Sequence, residues 1–144
     1  MADPRNLVTF EGLHEQFATF LIDNSTIVFD ATQIGGAAAT MIGKAVGFST
    51  DKTIQLVADG DMVLGKLVLV EQDNKATVQV EGCMTLPGGA SATLTDGTGI
   101  VGALGAASAR GYVRSAASGT AAELLKQNGK IWDASDTTNV VCRL

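Results

Sequence analysis

Chemically reactive side chains are scarce in this sequence of 144 residues. It contains one histidine and two cysteines. Its aromatic residues are five phenylalanines, one tryptophan and one tyrosine, which together make up only 5% of the chain. The single histidine, His14, lies next to Glu15, and nothing in its surroundings would orient it as a base. Nucleophilic catalysis by serine, cysteine or threonine needs such an oriented base. We therefore expect no catalytic residue and no enzymatic activity.

Clustered positive charge and long apolar runs are absent from the sequence too. The 10 lysines and arginines are scattered singly among 15 aspartates and glutamates, which gives a net charge of −5. Binding to a phosphate backbone needs clustered cations, and a membrane-spanning helix needs a longer apolar run than any present. The first residues also lack the basic and apolar regions of a signal peptide. We expect a protein made in the cytosol that binds neither nucleic acid nor membrane.

The cysteines and aspartates do not have the spacing of a metal site. Cys83 and Cys142 are far apart, so free thiols are the favoured interpretation, and a bridge between neighbouring strands is the alternative. Asp59, Asp61 and Asp73 fall at turns, where aspartates mostly accept backbone hydrogen bonds. The loop spacing of an EF-hand is missing. We expect no bound metal, with a structural cation as the minor alternative.

Glycine, by contrast, is abundant at 17 residues, and one glycine-rich stretch matches a nucleotide-binding motif. Gly97–Gly102 satisfies GxGxxG letter for letter. A dinucleotide site needs that loop between a strand and a helix, because the helix N-terminus holds the pyrophosphate. Gly105 and Gly111 weaken any following helix. We expect a glycine-rich turn and strand and no cofactor, with a nucleotide-dependent enzyme as the remote alternative.

The chain is organised around residues 53–86, which are rich in alternating apolar residues. From Ala76 to Leu86 the alternation is clean and predicts an antiparallel strand with Cys83 on its polar face. Leu67–Val70 has no polar residue, so we expect that strand to be covered on both sides, in the fold or at a subunit interface. Polar turns separate these strands from each other and from Thr53–Ala58. The pattern predicts a three-stranded meander as the core.

Short strand patterns separated by glycine-rich turns continue on both sides of this meander. They are 26–29, 44–48, 91–94, 100–104, 112–114, 130–132 and 139–144. Thr120–Glu123 has the form of a capping box and predicts a short helix that ends near Gly129. We predict an all-β fold: a single-domain antiparallel β-sandwich or barrel over residues 26–144, with one or two short helices. Residues 1–25 are predicted to form an N-terminal arm or short helix.

The N-terminal segment holds three of the five phenylalanines. Phe10, Leu13, Phe17, Phe20 and Leu21 recur at helical spacing, which predicts a short amphipathic helix. Such a helix could cover one end of the barrel, and the alternative is an arm that grips a partner.

An ordered series of short segments runs through roughly residues 40–144. The segments are Lys44–Gly47, Ile54–Gly60, Val63–Val70, Ala76–Gly82, Leu86–Gly89, Gly99–Gly102, Lys130–Ser135 and Val140–Leu144. In this order they resemble the small head decoration, or cement, proteins of tailed bacteriophages. The resemblance implies a β-rich structural protein, made in the host cytoplasm, that binds the outside of an icosahedral capsid. It also implies that the protein bridges major capsid protein subunits and assembles with itself, with a homotrimer favoured and a homodimer as the alternative.

The partner contacts expected on this basis are apolar. They are Phe10, Leu13, Phe17, Phe20, Leu21, Ile34, Met41, Leu67, Leu69 and Trp132. The main alternative function is a β-barrel binding module, such as a host-surface or carbohydrate adhesin on a virion, for which Trp132 and Tyr112 would be the stacking aromatics.

Overall fold

A computed structural model describes residues 15–36 and 41–144, and the regular secondary structure there is mostly β. The strands are β1 Gln16–Ile22, β2 Ala45–Thr50, β3 Thr53–Leu56, β4 Gly65–Val70, β5 Lys75–Glu81, β6 Cys83–Leu86, β7 Gly99–Ala103, β8 Tyr112–Ser115, β9 Asn128–Asp133 and β10 Val140–Arg143. A short helix, α1, covers Ala121–Lys126. The predicted all-β fold class is confirmed.

The first five strands form a closed barrel in the order β1-β3-β2-β4-β5. β1 closes it by pairing antiparallel with β5 and, over two residues, parallel with β3. Its interior holds a cluster of buried aliphatic side chains. They are Ile22, Ile27, Val46, Ile54, Leu56, Leu67, Val70, Ala76 and Val78.

The last five strands form a second sheet in the order β6-β10-β9-β7-β8. A separate core cluster lies against it. Its members are Ala45, Val57, Val63, Met84, Leu86, Ile100, Val113, Ile131, Val140 and Cys142. Ala45, Val57 and Val63 come from the barrel half of the chain, so this second core joins the two sheets.

The run from Ala76 to Leu86, predicted as one strand, is two strands that belong to different sheets. Gly82 separates β5 from β6 and has φ +101°, a conformation that glycine adopts far more easily than other residues. Its backbone exchanges hydrogen bonds with Leu144, which anchors the crossing point to the end of β10. Met84 and Leu86 of β6 are buried, as the alternation predicts, but Cys83, expected on the polar face, is buried too.

The predicted meander is partly wrong. β4 and β5 form the expected hairpin, but β2 lies between β3 and β4 in the barrel. The reason is the tight β2–β3 hairpin, whose turn at Asp51-Lys52 puts Lys52 at φ +58° and pairs β3 back onto β2. Residues 26–29 and 91–94, predicted as strands, are not strands. At 26–29 the Asp23 carboxylate accepts the backbone N–H groups of Thr26 and Ile27 and holds the chain in a bend.

The helix predicted across Phe10–Leu21 is wrong where the structure describes that segment. Gln16–Ile22 is β1, with Ala18, Phe20 and Ile22 turned towards the barrel interior and Phe17 and Leu21 turned outward. The helical spacing was misleading because both faces of this strand carry large apolar residues. Phe10 and Leu13 lie outside the described residues.

Candidate interaction surface

Apolar side chains line one outer side of the barrel. Phe17 and Leu21 on β1 are 53% and 44% exposed, and Leu69 on β4 is 38% exposed. Thr19 pairs with Thr77 of β5, which in turn pairs with Leu69, so the outward residues of β1 and β4 share one face. We call Phe17, Leu21, Val68 and Leu69 the outer face. Three of the predicted contact residues are thus brought together here.

A β-bulge shapes the β4 part of the outer face. The register between β4 and β5 shifts between Leu67 and Leu69, and both Val68 and Leu69 are exposed as a result. Leu67 and Val70 point into the barrel and are buried. The expectation that this strand is covered on both sides within the fold is therefore wrong for Val68 and Leu69. Coverage of these two residues by another subunit stays a prediction.

A phenylalanine pair extends the apolar surface over one end of the barrel. Phe20 packs edge-on against Phe48, with ring centroids 5.6 Å apart, and Phe48 is half-exposed. A depression of about 490 Å³ lies between this pair and the Asp51–Lys52 turn. A second one of about 480 Å³ lies between Phe20, Leu21 and the two lysines Lys52 and Lys75. Phe48 was not predicted as a contact, because nothing in the sequence distinguishes it from a core residue of β2.

The other predicted contact residues are spread over the molecule. Ile34 is 98% exposed, and its neighbour Gly35 accepts a hydrogen bond from the Val70 amide at 2.7 Å, so Ile34 lies beside β4. Met41 is half-buried against the barrel core, and Leu67 is fully buried within it. Trp132 lies in the second sheet, 38% exposed, with the Arg143 guanidinium 5.8 Å from its ring centre.

A charged clip joins the barrel to the second sheet. Arg114 on β8 donates to Glu123 of α1 at 2.7 and 2.9 Å, and to Asp59, in the loop after β3, at 2.9 Å. Arg114 lowers the pKa of Glu123 to about 2, and the Ala117 amide adds to this effect. The two carboxylates raise the pKa of Arg114 in turn. Thr120 is the N-cap of α1, as predicted, but Glu123 binds Arg114, and the helix ends at Lys126 instead of near Gly129.

Beside this clip lies an open cleft of about 710 Å³, lined by alanines together with serines and threonines. Its walls carry the hydroxyls of Ser91, Thr93, Thr98 and Ser115. The Thr98 and Ser115 hydroxyls are hydrogen-bonded to each other at 2.7 Å. The Arg114 guanidinium at its edge is already bound to Asp59 and Glu123, so it is not free to hold an anionic ligand.

The motif residues take the structural roles that the sequence favoured. Gly97 lies in a turn at φ +81°. Gly99–Gly102 forms most of strand β7, at the position where a dinucleotide site would need a helix. Gly102 packs against the Ala58 backbone carbonyl, whose oxygen would lie 2.2 Å from a Cβ atom added at Gly102. Within residues 15–36 and 41–144, no three His, Cys, Asp or Glu side chains are grouped to hold a metal ion.

The two cysteines are free and buried, although they lie on neighbouring strands. Cys83 of β6 is paired with Arg143, and Cys142 of β10 with Met84, so the thiols are offset by one position. Burial raises the pKa of the Cys142 thiol to about 12. The preferred interpretation, free thiols, is thus the one that the structure describes.

Comparison of the chain with protein families, with characterised proteins and with solved structures gives no match. Over the part of the chain that the structure describes, no helix is long and apolar enough to cross a membrane.

Proposed function

We propose that this protein is a structural component of a tailed bacteriophage virion. In this proposal it binds the outside of the icosahedral capsid and stabilises it by bridging major capsid protein subunits. The observation that carries the proposal is the outer face, where Phe17, Leu21, Val68 and Leu69 are exposed on one side of the barrel. The kind of partner is inferred from the resemblance over residues 40–144.

The energetics of such a surface suit a capsid-stabilising protein that is present in many copies. Fully burying a large apolar side chain contributes about 1.5–3 kcal/mol, so covering these half-exposed residues contributes a few kcal/mol per copy. Binding to the expanded shell alone would stabilise that shell by mass action. Contacts with several subunits at once would add avidity to modest individual contacts. Self-assembly, with a homotrimer favoured over a homodimer, would supply that multivalency.

The experiment is affinity capture of the tagged protein from its native source, with the bound proteins identified by mass spectrometry. The proposal predicts recovery of one abundant shell-forming protein in near-stoichiometric amount. Recovery of the chain alone, as a monomer, would contradict it.

The second candidate function, a carbohydrate or host-surface adhesin, is supported by the hydroxyl-lined cleft of about 710 Å³. The lining of this cleft contains no aromatic residue, so a sugar would bind there without the stacking that is common in such sites. A glycan array decides between the two functions: binding to a glycan, lost on substitution of Thr93 and Thr98, would favour the adhesin.

A further inference from the structure

A small depression of about 280 Å³ lies where the two sheets meet. Lys44 and Lys66, from the barrel side, and Thr85 of β6, from the second sheet, contribute to its walls, and Thr138 and Asn139 complete one end. Neither lysine forms an ion pair with a carboxylate of residues 15–36 or 41–144.

The hydrogen bonds at this site leave donors available. The Lys66 ammonium donates to Thr85 Oγ1 at 3.1 Å, which uses one of its three N–H groups. The Thr85 hydroxyl accepts that bond and keeps its own hydrogen to donate. The Lys44 ammonium instead donates to the Arg110 carbonyl at 3.3 Å and lies 4.7 Å from the Tyr112 ring centre, and neither residue lines the depression. Lys66 is therefore the lysine whose ammonium is bound to a wall residue of the depression.

The charge balance favours a singly charged anion. Thr138 Oγ1 and Asn139 Nδ2 already donate to the Asp136 carboxylate, at 2.6 and 3.0 Å. Asp136 thus places one negative charge behind the Thr138–Asn139 end of the depression. A phosphate dianion would be repelled by this carboxylate, whereas a carboxylate ligand could accept from Lys66 and Thr85 with its two oxygens.

The depression adjoins the outer face. Phe17 pairs with Gln79 of β5, and Gln79 pairs with Lys66 of β4. Directly opposed residues share a face of the sheet, so Lys66 lies two strands from Phe17 on the same side, about 10 Å away. One partner covering the outer face would therefore also reach the depression, and a charged rim beside an apolar centre is the usual arrangement of an interface.

We propose that this depression binds the side-chain carboxylate of an aspartate or glutamate of the capsid partner. Lys66 and Thr85 donate to its two oxygens. This inference rests on the proposed function for the identity of the partner, but the carboxylate site itself can be tested without it.

The test on the isolated protein is an NMR titration with sodium acetate, with sodium chloride at the same ionic strength as the control. We expect the Lys66 and Thr85 backbone amides to shift saturably with acetate only, and the shift to be lost in Lys66→Met. Equal responses to acetate and chloride would overturn the site, whether or not the protein binds capsids.

The test on the complex is co-sedimentation of the full chain with capsids at low and at high salt. We expect Lys66→Met to weaken binding about ten-fold at low salt and less at high salt, because the lost contact is ionic. Lys126→Met removes the same charge from exposed α1 and serves as the matched control, with binding within two-fold of wild type. An unchanged affinity for Lys66→Met at both salts would overturn the partner assignment, while failure of the wild type to sediment with capsids would instead contradict the proposed function.

Discussion

The barrel and the second sheet are alike inside and different outside. Each has its own cluster of buried aliphatic side chains, from Ile54 and Leu67 in one to Ile100 and Ile131 in the other. On the described strands of the barrel, however, five large apolar side chains are exposed, whereas on those of the second sheet only Trp132 is. Folding requires the inner residues but not the outer ones. The exposed apolar residues of the barrel are the ones that we propose bind a partner, and substitutions can separate this role from the role in folding.

The largest expected effect contrasts two leucines of the same strand. Leu67→Ala should lower the free energy of unfolding by about 2–5 kcal/mol, because Leu67 is fully buried in the barrel core. Leu69→Ala should change it by less than about 1 kcal/mol, because Leu69 is on the outer face. Urea denaturation of both variants measures this difference. Equal losses would mean that the outer face is already packed in the isolated protein.

The crossing between the two sheets should be the next most sensitive point. Gly82→Ala should cost about 1–3 kcal/mol of unfolding free energy, since φ at this position is +101°. Gly119→Ala is the matched control, because an added Cβ there meets nothing within 4 Å. Thermal unfolding of the pair is the measurement. A Gly82→Ala variant as stable as the control would show that β5 can pass into β6 without this turn.

The contact of Arg114 with Glu123 of α1 predicts a pH-dependent contribution to stability. The pKa of Glu123 is lowered from 4.5 to about 2, so its stabilising contribution is fully present above pH 4.5 and is lost as the pH falls through about 2. We expect the melting temperature of the wild type to exceed that of Glu123→Gln near neutral pH, and the difference to shrink between pH 4.5 and 2. A difference that is constant across this window would contradict the clip. Asp136 also has a pKa lowered to about 2, so the melting temperature of Asp136→Asn over the same pH range measures the contribution of that carboxylate separately.

The smallest effect concerns the interior of the second sheet, where we expect no reaction at all. Burial raises the pKa of Cys142 to about 12, and only the thiolate is alkylated readily. Native protein treated with iodoacetamide at pH 8 should therefore leave Cys142 unmodified, and unfolding in guanidinium chloride should expose it. Rapid alkylation of the folded protein, read by mass spectrometry, would show that this sheet opens locally.

Much of the fold could be predicted from the sequence, and the failures have one physical origin. Alternation works where one face of a strand is buried and the other is polar, as at β5, and it located the β4–β5 hairpin. At β1 both faces are apolar, so Phe17, Phe20 and Leu21 gave a helical spacing and no period of two. The same lack of a polar face at Leu67–Val70 suggested a strand covered on both sides. The misleading residues are largely those of the outer face.

Other features could not be predicted because they depend on contacts between residues distant in the chain. From the sequence alone, Gly82 is compatible with one continuous strand, and only its hydrogen bonds with Leu144 show that the strand divides there. Glu123 fits a capping box until Arg114 is placed beside it. Lys66 and Thr85 are 19 residues apart, and only the junction of the two sheets brings them together.

The most direct measurement of the central claim is the affinity for capsids of a Phe17→Ser/Leu21→Ser double variant. Leu125→Ser is the matched control, because Leu125 is also apolar and exposed but lies on α1. Circular dichroism and the melting temperature establish that both variants fold. We predict at least a ten-fold loss of binding for the double variant and wild-type binding for the control. Wild-type binding by the double variant, or an equal loss in both, would contradict the assignment of the outer face as the capsid-binding surface.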